Sequence, residues 1–252
     1  MLSKKSLAER MRPEIGAGGF SHRDGTVEFY SRVNALLRPN MTVLDLGAGR
    51  GLFLEGNSLY RRDLQTLQGK VKELIGVDVD PAIEQHPALD RRYVVLVSAP
   101  LPLADNSVDL IVSDWVFEHI AEPSALVTEI ERVLKPGGWI CARTNNKWGM
   151  IGLVARAIPN RLHVSALKRL QPGRKDVDVF PVTYKMNTPS AIRTLFKPAR
   201  WLDYSYFWNG DPAYYAESRI LWILTEFLFR LLPKSLSASY FIFLQRRNSG
   251  NG

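Results

Sequence analysis

Along the first 150 residues the apolar positions keep changing period. Over TVEFYSRVNALL (26–37) they recur at helical spacing, at Val27, Tyr30, Val33, Leu36 and Leu37, and Pro39–Asn40 ends the run. MTVLDL (41–46) is apolar at nearly every position, as a short strand buried on both faces would be. A helix is expected to follow near Gly51. VKELIGVDV (71–79) predicts a second strand, after which Asp80 reads as an N-cap with Pro81 at the first helical position. RYVVLVS (92–98) and SVDLIVSD (107–114) predict a third and a fourth strand. PSALVTEIERVLKPGG (123–138) returns to helical spacing, with Leu126, Ile130, Val133 and Leu134 on one face and Pro136-Gly137-Gly138 closing it. WICART (139–144) predicts a fifth strand. Apolar strands alternating with helices describe an α/β fold whose parallel sheet is covered on both faces.

The first strand runs into glycines. In VLDLGAGRG (43–51), Gly47, Gly49 and Gly51 are spaced two apart behind Asp45. Such a turn sits at the carboxyl edge of the strand, where open α/β sheets bind ligands, and lets the backbone approach one closely. A dinucleotide fingerprint would place its third glycine at 52, where Leu52 stands. An acid inside the turn suits a cationic ligand better than a pyrophosphate. Asp78 ends the second strand, where a carboxylate can accept two hydrogen bonds from ribose hydroxyls. Asp80 reads as structural.

In order along the chain, VLDLGAGRG, IGVDVDP, LPLADNSVDLIVSDWVFEHI and EIERVLKPGGW resemble the class I S-adenosylmethionine-dependent methyltransferases, close to the type 11 group. The resemblance spans about residues 26–145. It implies a Rossmann-like, seven-stranded, mostly parallel sheet with helices on both faces and an antiparallel last strand. ARWLDYSYFW (199–208) and SASYFIFLQRR (237–247) would supply strands six and seven, with a helix between them. The whole chain is then one methyltransferase domain: a core over about 26–145, an acceptor or lid region over about 146–200, and the last strands and their helix over about 200–247. The implied cofactor is S-adenosyl-L-methionine, held by Asp45, Gly47, Ala48, Gly49, Gly51, Asp78, Val79, Ser98, Asp114 and Trp115. Trp115 could wall the pocket or pack in the core.

Two features depart from the pattern. Asp45 and Asp78 are further apart than the roughly 20 residues expected between glycine loop and acid, so NSLYRRDLQTLQGK (57–70) reads as a polar insertion that extends the first helix or its loop. Relatives often carry an Asp before the LP pair to bind adenine, where this chain has Ser98.

Candidate chemistry concentrates after strand four. His119 is the nearest base for a hydroxyl acceptor, or else braces the loop. Metal-binding relatives show E-x-x-E-H here. In WVFEH, Trp115 replaces the first acid and leaves Glu118 and His119, so no metal is expected. The segment reads SDWV rather than an N/D-P-P-Y loop, and the single cysteine, Cys141, falls within strand five. Both count against a nucleic-acid substrate. For an acceptor, Asn145, Asn146 and Trp148 offer amides and an indole face for a sugar. Arg156, Arg161, His163, Lys168, Arg169, Arg174 and Lys175 offer cations for a phosphate, or form a solvated lid face.

Charge sharpens the picture. Residues 1–150 carry 18 Lys and Arg against 19 Asp and Glu, and residues 151–252 carry 15 against 6, so the net +8 resides in the last third. Such asymmetry marks a surface that meets an anion, or a basic solvated face. One cysteine, no signal-peptide core and no apolar run of about 20 residues point to the cytoplasm. Within SRILWILTEFLFRLLPKS (218–235) the apolar run is too short to span a bilayer; it reads as a core helix under the 142–175 lid, as an interfacial helix on anionic lipid, or as a wall for a lipid tail. The reading is therefore a methyltransferase for a small-molecule or lipid-linked acceptor, through O-methylation, with peripheral membrane contact open. The alternatives are a non-catalytic cofactor-binding module, a nucleic-acid methyltransferase and a nicotinamide oxidoreductase.

Overall fold

The structure is a computed structural model that describes residues 5–149, 182–212 and 217–248. A short helix α1 (Leu7–Met11), closed by a Ser6–Glu9 capping box, and a 3₁₀ turn precede α2 (Gly25–Leu36). Strands β1 (Thr42–Leu46), β2 (Glu73–Asp78), β3 (Arg91–Val94), β4 (Val108–Asp114) and β5 (Leu134–Asn145) follow, with α3 (Leu59–Gln65) between β1 and β2 and α4 (Pro123–Val133) between β4 and β5. Then come α5 (Pro189–Leu195), β6 (Trp201–Asp203), β7 (Tyr206–Trp208), α6 (Arg219–Leu231) and β8 (Ser239–Arg246). The strands form one sheet in the order β3-β2-β1-β4-β5-β8-β6, with β7 also paired to β8. β1 to β5 are parallel, and β8 runs antiparallel to β5, β6 and β7.

Neighbouring residues on these strands point to opposite faces, so the near-continuous apolar runs feed two cores. Leu44, Ile75, Ile111, Ile140 and Ile242 pack on one side with Ile130 of α4 and Ile192 of α5. Val43, Leu74, Leu110, Cys141 and Phe241 pack on the other with Phe29 and Val33 of α2 and Leu64 of α3. Cys141 is fully buried, and burial pushes its thiol far above the ordinary range, so it is a packing residue.

Several boundaries differ from expectation. The helix after the glycine loop does not begin near Gly51. A 3₁₀ turn (Leu52–Glu55) stands there, and α3 starts at Leu59, capped by the Ser58 hydroxyl. Within the polar stretch 57–70, α3 forms the crossover between β1 and β2, with Leu64 and the following Leu67 buried against the core. The third strand stops at Val94, which leaves Leu96 and Val97 exposed. α4 ends at Val133, and Leu134 already pairs with Val108 beside a bulge. Strand six is broken into β6 and β7 at Tyr204–Ser205, so the seven expected strands are counted as eight. Asp80 caps a 3₁₀ turn, accepting from the Ala82 amide at 2.9 Å.

α6 contributes little to the core, and most of the 142–175 lid under which a core helix was expected lies outside the described residues. Of its residues only Trp222 is buried. Its inner side is held by charge: Glu226 pairs with Arg12 and with Arg23 (3.1 Å), and Arg12 also reaches Asp211 at 2.8 Å.

Candidate active site

The carboxyl ends of β1, β2, β4 and β5 and the start of β8 open onto one cavity of about 1050 Å³. Gly47, Gly49, Asp78 and Val79 line it from β1 and β2, the loop Val95–Ala99 follows β3, and Asp114, Trp115 and His119 follow β4. A second cavity of about 490 Å³, sharing Gly47, Gly49, Asp114, Trp115 and Arg143 with the first, is lined by Asp45, Ala48, Gly51 and Tyr30.

The three glycines of the loop all have positive φ, at 80°, 58° and 78°. At Gly47 a Cβ would collide with the Val116 side chain, so the β1 turn and the loop after β4 touch only because that side chain is missing. At Gly49 a Cβ would meet open space, and its amide is the one that Asp78 captures. The Asp78 carboxylate accepts from the Gly49 amide at 2.7 Å and from the Asp80 amide at 2.8 Å. It thus fastens the loop to the end of β2 and keeps lone pairs directed at the cavity. Asp45 lies behind the loop. Burial, then the nearby Asp114 and Asp78, push its carboxyl up to about 7, so the site favours a cation beside it.

Across the cavity, Arg143 of β5 is buried and stands in register with Asp114 of β4. The guanidinium grips both Asp114 oxygens, one nitrogen at 2.8 Å, and reaches the Thr26 hydroxyl at 3.1 Å. Its carbon lies 5.4, 5.8 and 5.0 Å from the rings of Phe29, Tyr30 and Trp115. Burial alone would lower the guanidinium pKa, and the Asp114 pair more than reverses this. The Tyr30 hydroxyl also donates to Asp114 at 3.2 Å, and burial and these acids hold it well above the usual phenol range. Trp115 therefore does not pack in the core: with φ at 60° it presents a partly exposed ring to the cavity, stacked over Arg143.

Glu118 is buried beside the site. It accepts from the Thr144 hydroxyl at 2.6 Å and the Asn145 amide at 3.0 Å, while its carbonyl accepts from the Thr183 amide at 2.8 Å. Burial raises its carboxyl pKa. It ties the loop after β4 to β5 and to the chain entering α5. His119 is half-buried on the cavity wall, its amide donating to the Val116 carbonyl at 2.8 Å.

The expected site residues thus divide. Asp78, Val79, Ser98, Asp114, Trp115, His119 and Asn145 converge on the large cavity, with Ser98 in a positive-φ turn (63°). Asp45, Ala48 and Gly51 meet the smaller one. Asn146 is a correction. It is buried away from the cavity lining, its amide donates to the Ser235 and Ser237 carbonyls at 2.8 Å each, and its oxygen accepts from the Trp148 amide at 3.1 Å. It locks a turn and has no free amide for a sugar. Trp148 is exposed beyond the cavity lining, with the Lys147 ammonium 5.7 Å from its ring. Arg156, Arg161, His163, Lys168, Arg169, Arg174 and Lys175 lie outside the described residues. Among the described residues no group of three or more His, Cys, Asp or Glu could hold a metal ion.

The sequence reading missed Arg143, Tyr30 and the Arg23–Thr26 wall. Arg143 had a signal: an arginine inside an apolar strand must meet a counter-charge, and the neighbouring strand ends in Asp114. The wall at 23–26 had none.

Residues 44–142, from β1 into β5, match the family described as a methyltransferase domain, Methyltransf_11. An uncharacterized methyltransferase of Mycobacterium sp. (strain JLS) is 41% identical over 101 residues, 38% of this chain and 36% of that protein. A Mycolicibacterium smegmatis protein described as an S-adenosylmethionine-dependent methyltransferase is 36% identical over 110 residues, 42% of this chain and 38% of its own length. Over residues 44–142 this chain is similar to class I S-adenosylmethionine-dependent methyltransferase domains. Solved structures share the fold of the methyltransferase domain. A chain from the complex between the Haloferax volcanii Trm112 methyltransferase activator and a methyltransferase aligns with a TM-score of 0.55 at 17% identity, covering 98% of this chain and 96% of its own. A Listeria monocytogenes chain described as an S-adenosylmethionine-dependent methyltransferase gives 0.55 at 14% identity, covering 88% of this chain and 98% of its own. This chain spans little more than a third of the length of the curated relatives cited, at 36% and 38%.

S-adenosyl-L-methionine is the cofactor the methyltransferase family implies, and the residues present fit it. Asp78 offers acceptors for a ribose diol, Val79, Leu96 and Val97 an apolar bed for adenine, and Asp45 a carboxyl that gains by meeting an ammonium. At Gly49, where a Cβ would meet open space, the backbone is open to close approach.

Proposed function

We propose that the protein is a methyltransferase that uses S-adenosyl-L-methionine to methylate a small-molecule or lipid-linked acceptor, by transfer to oxygen. The observation that carries this is the extent of the cavity. At about 1050 Å³ it reaches the top of the range for small-ligand sites. Its lining continues to Trp208, Phe229 and Phe241, whose rings suit an acceptor with a hydrocarbon part, beside the ion-paired Arg23, Asp24, Arg61 and Asp211.

Bound S-adenosyl-L-methionine supplies an electrophilic methyl group on a sulfonium. The chain supplies orientation, exclusion of water and a proton acceptor. Trp115, fixed by Arg143 and Asp114, walls the junction between the glycine loop and the outer cavity. Holding reactants aligned contributes about 7–11 kcal/mol in favourable systems. His119 lines the same cavity and, on this reading, takes the hydroxyl proton. The acidic loop behind the glycines and the absence of a third glycine at 52 disfavour a nicotinamide cofactor.

The test is incubation of the protein with methyl-labelled S-adenosyl-L-methionine and separated pools of lipid, small polar metabolites and nucleic acid. Label is expected in the lipid or small-molecule pool with equimolar S-adenosylhomocysteine. Label in nucleic acid alone, or cofactor binding without turnover in any pool, would overturn the reading. With the acceptor in hand, His119→Ala is expected to lower kcat about 10²–10⁴-fold while cofactor affinity holds. A changed melting temperature with kcat intact would make His119 a brace.

A further inference from the structure

α6 is packed the wrong way round for a helix that belongs to a core. A surface helix of a globular protein normally turns its apolar stripe inward. Here Ile220 (77% exposed), Ile223, Leu224, Phe227 (56%) and Leu231 (64%) all face solvent. Their spacing of three and four residues lays them along one line of the helix surface. The opposite side carries the inward contacts: Trp222 buried under the Arg12 guanidinium, Glu226 paired to Arg12 and Arg23, and Phe229 beneath the Arg23 guanidinium. The helix is therefore anchored by ion pairs, and among the described residues none covers its most apolar surface. Contiguous exposed apolar surface of this kind marks an interaction site.

From these observations we infer that α6 docks the protein on an anionic membrane surface, with the Ile220–Leu231 stripe immersed in the lipid interface. Charge selects this occupant. Arg219 and Arg230 fall on the same border of the stripe in a helix of 3.6 residues per turn, and both are exposed, as is Lys234 beyond the helix end. The helix's single acid, Glu226, is turned inward and neutralised. The outward surface is thus apolar with a purely cationic edge, the composition of helices that lie in the interface and meet acidic headgroups. Its 13 residues are too few to span a bilayer, and among the described residues no helix is long and apolar enough to do so. Phe229 joins this helix to the cavity wall, so docking would bring the outer cavity to the bilayer surface. Only that last link rests on the methyl-transfer reading. The docking itself does not.

The experiment is co-sedimentation of the full chain, without methyl donor, with vesicles of phosphatidylcholine alone or mixed with phosphatidylglycerol. Binding to the mixed vesicles is expected to be at least tenfold tighter than to phosphatidylcholine and to weaken in 0.5 M salt, where the screening length falls to about 4 Å. Ile223→Asp and Phe227→Asp should each lower binding at least tenfold with little change in melting temperature, since both side chains lie on the exposed face and outside the two cores. Arg219→Glu with Arg230→Glu should abolish the preference for anionic vesicles. Equal partition to both vesicle types, no partition to either, or binding unchanged in Phe227→Asp would overturn the inference. A dimer in solution that Ile223→Asp separates, with no vesicle binding by the wild type, would assign the stripe to a second copy of the chain instead. Because no methyl donor is present, a failure here leaves the proposed chemistry standing, and a failure to find methyl transfer leaves the docking standing.

Discussion

Asp78 accepts two backbone amides, Gly49 at 2.7 Å and Asp80 at 2.8 Å, before any ligand arrives. Asp78→Ala should therefore do more than remove ribose contacts. Calorimetry is expected to show cofactor affinity at least tenfold weaker, and the melting temperature should fall because charge-assisted bonds of about 1.5–3 kcal/mol each are lost. Undiminished affinity would remove Asp78 from the site. Asp45 gives a pH signature. Its folded pKa of about 7 stands above the ordinary value of 3.8. The folded, ligand-free protein thus holds a proton that the unfolded chain releases. That contribution to stability is present below about pH 4 and is lost as pH rises through about 7. A cation bound beside Asp45 expels the proton, so affinity for S-adenosyl-L-methionine should rise up to tenfold per pH unit to about pH 7 and then level off. Thermal-shift titrations from pH 5.5 to 8.5 would show it, and Asp45→Asn should flatten the curve. At this scale the glycines and Asp78 were legible from type and spacing alone. The Asn146 misreading arose because a sequence does not show where an amide points, and this one is consumed by carbonyls from the far end of the chain.

Between elements, the decisive contact is Asp114 with Arg143, which joins the ends of β4 and β5 in register and positions Trp115. Arg143→Met leaves the Asp114 carboxylate without its counter-charge in a largely buried site. Removing one partner of such a pair costs about 3–5 kcal/mol. The urea midpoint is expected to drop accordingly, and the double variant Arg143→Met with Asp114→Leu should recover part of it. No recovery would mean that the arginine acts through packing against Phe29, Tyr30 and Trp115 rather than through charge. Element type and order were legible because apolar period is a local property. The ends were not. α4 stops at Val133 because Leu134 is drawn into the ladder with β4, and β3 stops at Val94 because the chain turns away to form the cavity loop. The stretch 57–70 reads as an insertion from the long Asp45–Asp78 spacing; in the structure it carries α3, with Leu64 and Leu67 buried against the core.

At the scale of the whole molecule, the N-terminal segment and α6 are one construction. Arg12 and Arg23 meet Glu226 in a site where the Arg12 and Glu226 side chains are 12% and 13% exposed. Glu226→Ala should release both ends together. Hydrogen exchange is expected to quicken in 7–16 and 219–231 while β1 to β5 stay protected. Exchange confined to one of the two segments would separate them. The sequence by itself determined the parallel α/β core, the glycine turn after β1 and the acid that ends β2, and the kinship of residues 44–142. These depend on periodicity and on residues close in the chain or in fixed order. The tertiary structure alone decided that Arg143 closes the cavity behind Trp115, that residues 23–26 and β7 build its outer wall, and that α6 faces outward. Each of those depends on which side of an element finds a partner. An apolar helix and a buried helix share one composition, and the ion pairs that turn α6 over link residues 203 and 214 positions apart in the chain.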